Sequence, residues 1–194
     1  MDSQVKRIIL PETKTLSDIN NTKECKKIEK KEKEKRKVTH RKQWNFNENE
    51  LTNEKQLEYI QNMYSCLENH IEFDSRIQHI QGVIESQIKI KIQGYHQQDI
   101  KKNLYDSEKF ITLPKVIELL HSCKNTCYYC LKPVLILYEF VRDNKQWSVE
   151  RRNNSYGHNH DNVEIACLHC NVCRKTMNEE RFLFTKQLNI IKQS

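Results

Sequence analysis

The sequence predicts an α+β protein: a basic arm over residues 1–48, a helical region over 49–122, and a small metal-stapled domain over 123–194. Three observations carry this reading. Apolar residues recur at helical spacing between about Asn49 and Ile92, short runs of strand length follow between Val134 and Cys167, and two Cys-x-x-Cys pairs lie at Cys127–Cys130 and Cys167–Cys170. At 194 residues, with 37% hydrophobic and 30% charged residues, the chain suits one modest core plus extensions better than one large core.

The arm comes first. Net charge is +7, and residues 1–46 account for all of it, with 14 Lys or Arg against 7 Asp or Glu. From Thr22 to Lys42 the chain is almost entirely Lys and Glu with no apolar stripe, which predicts disorder or a lone solvated helix. Such an arm attracts phosphate backbones without regard to sequence; a solubilising tail or a nuclear import signal is the alternative use.

In the middle region Leu51, Leu57, Ile60, Tyr64, Leu67 and Ile71 recur at helical spacing, and Ile77, Ile80, Ile84 and Ile88 continue the rhythm. Two helices are expected, broken around Asn69 to Asp74. The segment from Ile88 to Lys102 alternates Ile with Lys before Gly94 and is read as the end of the long helix rather than a strand. Pro114 suits the first turn of a further helix ending at Ser122, where a missing amide hydrogen costs nothing.

Val134 to Phe140 is an apolar run of strand length, and Gln146 to Arg151 alternates as a half-buried strand does. A hairpin through Arg142 to Lys145 would join them. Asn162 to Cys167 reads as another strand, and Leu168 to about Leu183 as one helix. A cysteine knuckle, a hairpin, and a strand feeding a helix that carries the last two cysteines is the layout called a treble clef.

Eight cysteines could form a disulfide framework, but that expects a secreted chain, and Met1 to Leu10 lack the long apolar stretch of a secretory signal. Four in paired knuckle spacing favour a tetrahedral zinc site made by Cys127, Cys130, Cys167 and Cys170. Cys123 and Cys173 lie close enough to compete as ligands. No apolar run nears the roughly 18 residues that suggest a membrane span, so the chain is expected to be intracellular.

The pattern Cys127-x-x-Cys130, then Trp147-Ser-Val-Glu-Arg151, then Gly157-His158-x-x-x-Asn162-Val-x-Ile-Ala-Cys167-x-x-Cys170-Asn171, then Arg174-Lys175, resembles the zinc-stapled HNH endonucleases of the His-Me finger superfamily, in versions found in large DNA viruses. The likeness covers about Cys127 to Lys175, with weaker similarity through Gly94-Tyr-His-Gln-Gln-Asp99. It implies a ββα-metal fold with structural Zn²⁺ and a catalytic Mg²⁺ or Mn²⁺. It also implies DNA as partner, with RNA as the other candidate, and a virus-encoded protein of the host nucleus or cytoplasm.

By that resemblance Glu150 at the strand end and Asn171 at the helix start hold the catalytic ion, for which oxygen donors suit a hard cation. Asn162 matches the central Asn that ties the loop by side-chain to backbone hydrogen bonds. Arg174 and Lys175 are placed to reach the nucleic-acid backbone, with Arg181 beyond them. The plain readings are an exposed strand Glu, a helix-capping Asn, a turn Asn and solvated helix charges.

One departure matters. Most members carry His directly after the strand-end carboxylate as general base, whereas this chain has Arg151, which cannot accept a proton. Three routes stay open: His158 or His160 acts from the loop, metal-bound water serves with another group's help, or the domain binds without cutting. His158 is preferred because Gly157 lets the loop bring it toward the metal. Arg151 then contacts the phosphate or transition state, and His169 the zinc shell or phosphate. Two rivals are an inactive zinc-finger nucleic-acid-binding protein and an adaptor whose 49–92 helices form a coiled coil.

Overall fold

A computed structural model describes residues 36–38, 44, 46–68 and 73–188. Most of the Lys/Glu tract and residues 69–72 lie outside them. Residues 36–187 form one compact unit. The end of the expected arm belongs to it: Val38 N–H donates to Glu139 O at 2.9 Å, and Trp44 is buried against the core. Val38, Trp44 and Phe46 are the apolar exceptions in a charged stretch, and they are the residues that pack.

Helix α1 runs Asn53–Glu68 and α2 runs Ser75–Lys101. Asp74 caps α2 by accepting from the Arg76 and Ile77 amides. Ile80, Ile84 and Ile88, spaced by four, form its buried stripe. The helix continues through Gly94, where nothing crowds the backbone and packing on both sides offsets glycine's helix cost of about 1 kcal/mol. Helix α3, Leu113–Ser122, carries Pro114 in its first turn and buries Val116, Ile117 and Leu120. It packs on α1, α2 and the sheet, so the helical region and the cysteine-bearing region share a single core.

That sheet is two antiparallel strands, β1 (Trp147–Arg151) and β2 (Val163–Cys167), with Glu150 opposite Glu164 and Trp147 opposite Cys167. The expected strand at Val134–Phe140 is absent. Val134, Ile136 and Leu137 are buried as their hydrophobicity requires, but the Ile136 and Leu137 amides donate to the side chain of Gln56 on α1, at 2.7 and 2.9 Å. A buried glutamine 80 residues away thus takes the place of a partner strand. The run makes only isolated bridges, Leu135 with Gln146 and Phe140 with Lys37.

The single helix expected from Leu168 to Leu183 is two: α4 (Leu168–Arg174) and α5 (Glu179–Gln187). Lys175 breaks them at φ 52°, and the turn lets Met177 O accept from the buried Arg174 guanidinium at 3.0 Å. Helix α4 rests on both strands. Among the described residues no helix is long and apolar enough to cross a membrane.

A four-cysteine cluster and the cleft beside it

The Cys127 knuckle is built by a tight turn. Cys127 N–H donates to Lys132 O, Leu131 N–H donates back to Cys127 O, and Leu131 takes the left-handed conformation at φ 56°. On the far side β2 runs straight into α4, and Cys167 sits at the helix start with its sulfur accepting from the Cys170 amide. The two pieces bring Cys127, Cys130, Cys167 and Cys170 together, all four Sγ atoms within 4.8 Å of one another.

Zinc–sulfur bonds of about 2.3 Å in a tetrahedron require sulfur separations of about 3.8 Å. Cys130 Sγ and Cys167 Sγ are 3.9 Å apart. The cluster is therefore able to hold a structural ion such as zinc. A hydrogen bond from Cys167 lowers the Cys127 pKa, while burial, and then the Cys127 charge, raises that of Cys170. Cys123 points instead to Leu120 O, and Cys173 is exposed beside His169, so neither belongs to the set. His169 faces Cys173 rather than the four sulfurs.

Beside the cluster, on the other face of α4, a cleft of about 600 Å³ is lined by Glu150 and Arg151 from β1, Asn171 and Lys175 from the end of the sheet-helix unit, His158 from the loop, Tyr95 and Gln98 from α2, and Lys102 at the C-cap of α2. The Asn171 side-chain amide donates to Ser148 Oγ at 3.1 Å and toward Val149 O, which fixes its nitrogen on β1 and leaves its oxygen as the donor for a cation. Glu150 is 5% exposed, and burial pushes its carboxyl up to about 7 against the pull of Arg174.

Arg174 overturns an expectation. Read as a nucleic-acid contact, it is 2% exposed: Nε donates to Glu150 Oε1 at 2.7 Å, and Nη2 donates to the carbonyls of Arg151 and Arg152. A guanidinium has five N–H donors in a fixed fork, and here they gather the end of β1 and the α4–α5 turn around one point. Arg181 and Lys175 are exposed. Arg151 lines the cleft with its guanidinium held by the Asn154 and Tyr156 carbonyls.

Asn162 holds the loop. Its side-chain nitrogen donates to Asn153 O and Gly157 O, both at 3.0 Å, and its oxygen accepts from Asn153 N–H. His160 lies away from the cleft, exposed, with both its amide and Nδ1 on Lys109 O. His158 does line the cleft and is 4% exposed. Its backbone N–H donates to Asp99 Oδ2 at 2.6 Å, its Nδ1 pairs with Asp99 Oδ1 at 2.8 Å, and its ring stacks on Tyr95 at 4.5 Å. Burial lowers the His158 pKa below 6.5, with Asp99 opposing.

Gly157 serves this clamp by being small. A Cβ there would stand 2.4 Å from Leu104 O and 2.8 Å from Asp99 Oδ2, while its φ is not in the left-handed region. The need is for space, not for the loop flexibility expected from the sequence. Asp99 and Tyr95 were missed as site residues. Their signal is present in the helix: Ile80, Ile84 and Ile88 mark the buried stripe, and Tyr95 and Asp99 continue it, so an acid falls where the pattern calls for an apolar residue.

Comparison of the chain with models of protein families, with curated proteins and with solved structures gives no match.

Proposed function

We propose that this protein is a metal-dependent endonuclease of the HNH type, hydrolysing phosphodiester bonds in DNA. The observation that carries the reading is the convergence on one cleft of a strand-end carboxylate, a helix-start amide oxygen and a histidine, from Glu150, Asn171 and His158. Lys102, Arg151 and Lys175 make the rim cationic, which suits a polyanion, and the basic residues of 1–46 add sequence-independent attraction.

Glu150 and Asn171 fit an oxygen-seeking ion such as Mg²⁺ or Mn²⁺: the amide oxygen is left available by the anchoring of Nδ2, and a buried carboxyl with one arginine partner gains from a second positive neighbour. When bound there, the ion supplies charge neutralisation at the scissile phosphate. The chain's own residues do the rest. His158 accepts the proton of the attacking water, Arg151 and Lys175 hold phosphate oxygens, and Asn162 keeps the loop in register. The zinc staple fixes α4, and with it Asn171, against β1.

A test is plasmid nicking by zinc-loaded protein across a titration of Mg²⁺ and Mn²⁺, with EDTA controls and with Glu150→Ala. Metal-dependent nicking lost in Glu150→Ala is the expected result. No cleavage of DNA or of a matched RNA at any metal concentration would refute the reading. The binding-only alternative draws on Arg151 standing beside Glu150 where a histidine base is expected; it predicts mobility shifts without metal and no nicking. The adaptor alternative is disfavoured, because Ile60, Ile80, Ile84 and Ile88, which a coiled-coil seam would use, are buried in the chain's own core.

A further inference from the structure

We infer that Asp99, on a helix 59 residues before the histidine loop, is the positioning residue for His158, making α2 part of the reactive unit rather than a docking surface; the inference rests on the nuclease reading. The geometry is that of a clamp. One buried carboxylate takes both the backbone N–H and the Nδ1 of the same histidine, at 2.6 and 2.8 Å, across 59 residues of sequence. Asp99 is 0% exposed, so it is closed to solvent and to any partner, and a carboxylate so buried is retained only where it is paired.

An ionised carboxylate only accepts hydrogen bonds, so the His158 nitrogen facing Asp99 is the one that carries hydrogen. The ring's other nitrogen, Nε2, then bears the lone pair. It has no protein partner among the described residues, and the residue lines the cleft. Tyr95, one turn before Asp99 on the same helix face, stacks beneath the imidazole, and its hydroxyl is fixed by the Val149 N–H at 3.0 Å, next to Glu150. Tilt, tautomer and height of the ring above β1 are thus set by two residues of α2. Gly157 lets the loop approach closely enough for both bonds.

In the reaction, water's oxygen bonds to phosphorus as His158 Nε2 takes its proton. The bond from phosphorus to the leaving oxygen breaks, and that oxygen is protonated from solvent. The imidazolium so formed is stabilised by Asp99 and returns its proton to water. Arg151 therefore stands where a base is expected without being needed as one, because the base arrives from the loop and its orientation from the helix. The groups facing His158 are Asp99 and Tyr95 from α2, Lys102 at its C-cap, and Arg151 from β1; Asp99 favours the protonated ring, Arg151 and Lys102 disfavour it.

Two measurements test this. Nitrogen-15 NMR of the histidine-labelled, zinc-loaded full chain, with His158 assigned by its loss in His158→Gln, reads the tautomer directly. The inference expects hydrogen on Nδ1 and a free Nε2; hydrogen on Nε2 overturns it, whether or not the protein cuts DNA. The pH–rate profile of plasmid nicking by Asp99→Asn, at full zinc content, is the second. Loss of the orienting carboxylate should cost rate, up to the roughly 10²- to 10⁴-fold that a general base supplies, and should also move the acid limb to lower pH. Unchanged rate and limb, or a uniform loss with the limb unmoved, overturn it. If wild type fails to cut while the tautomer is as expected, the nuclease reading fails and the clamp stands.

Discussion

The four-cysteine cluster and the His158 clamp are both buried constellations within one small unit, yet they are held in opposite ways. The cluster is assembled from two local turns, each presenting two sulfurs three residues apart, and needs only a strand-to-helix junction to bring the pairs together. The clamp has no local part: its acid lies on α2 and its histidine in the β1–β2 loop. Local spacing makes a cluster able to take an ion such as zinc, whereas tertiary packing makes a site complete in its protein groups.

The contrast can be broken most forcefully at the metal. Structural zinc in small sites binds with apparent free energies of about 10–16 kcal/mol, as large as the stability of a whole domain. Chelation, or Cys170→Ser, should abolish the cooperative thermal transition followed by circular dichroism, with zinc restoring it after chelation. An unchanged melt would mean that the cysteines are bystanders.

Arg174 joins the two regions, since it grips Glu150 and the end of β1 from the helix that carries Cys170. Its replacement by Met leaves Glu150 buried and unpaired. Breaking a buried ion pair from one side costs about 3–5 kcal/mol, which denaturant unfolding would resolve; a cost below about 1 kcal/mol would return Arg174 to the surface role its charge suggests.

Gly157→Ala acts on the clamp and its loop, away from the cysteines. The clash with Leu104 O is with backbone and cannot relax by a rotamer change, so a cost toward the upper end of about 1–3 kcal/mol is expected. The sharper readout is selective: zinc content unchanged, His158 ring signals shifted. Zinc loss in this variant would show that the two regions are not separable.

The last effect is a pH dependence under β1. Lys91 of α2 is half-buried, with its ammonium on Trp147 O and over the Trp147 ring, and desolvation lowers its pKa from 10.5 to about 7. Its charge is disfavoured in the fold below about pH 7, and the penalty fades as pH rises toward the unfolded value. The stability difference between Lys91→Met and wild type should therefore favour the variant most below pH 7 and least near pH 10. A pH-independent difference would show that the ring face and carbonyl fully compensate the charge.

Legibility followed the same division. The cysteines, the two long helices and the strands around Glu150 and Ile165 were readable because periodicity and spacing are local properties, whereas the loop-tying of Asn162 was implied only by the resemblance. The apolar run at Val134 was misread as a strand because the amides at its centre, Ile136 and Leu137, are satisfied by Gln56, which no local pattern reveals. Arg174 was misread as a surface contact because charge on a helix suggests solvent, and its burial depends on Glu150 across the sheet. Asp99 lay in plain view on an otherwise apolar stripe, but the histidine it serves could be named only once the loop was folded over α2.

Single-turnover cleavage of supercoiled plasmid in Mg²⁺, comparing wild type with His158→Ala at equal zinc content, most directly tests whether staple and clamp together make a nuclease. A general base is worth about 10²- to 10⁴-fold. The account predicts nicking by wild type and a loss of at least about 10²-fold in the variant; equal rates, or no cleavage by either, would contradict it.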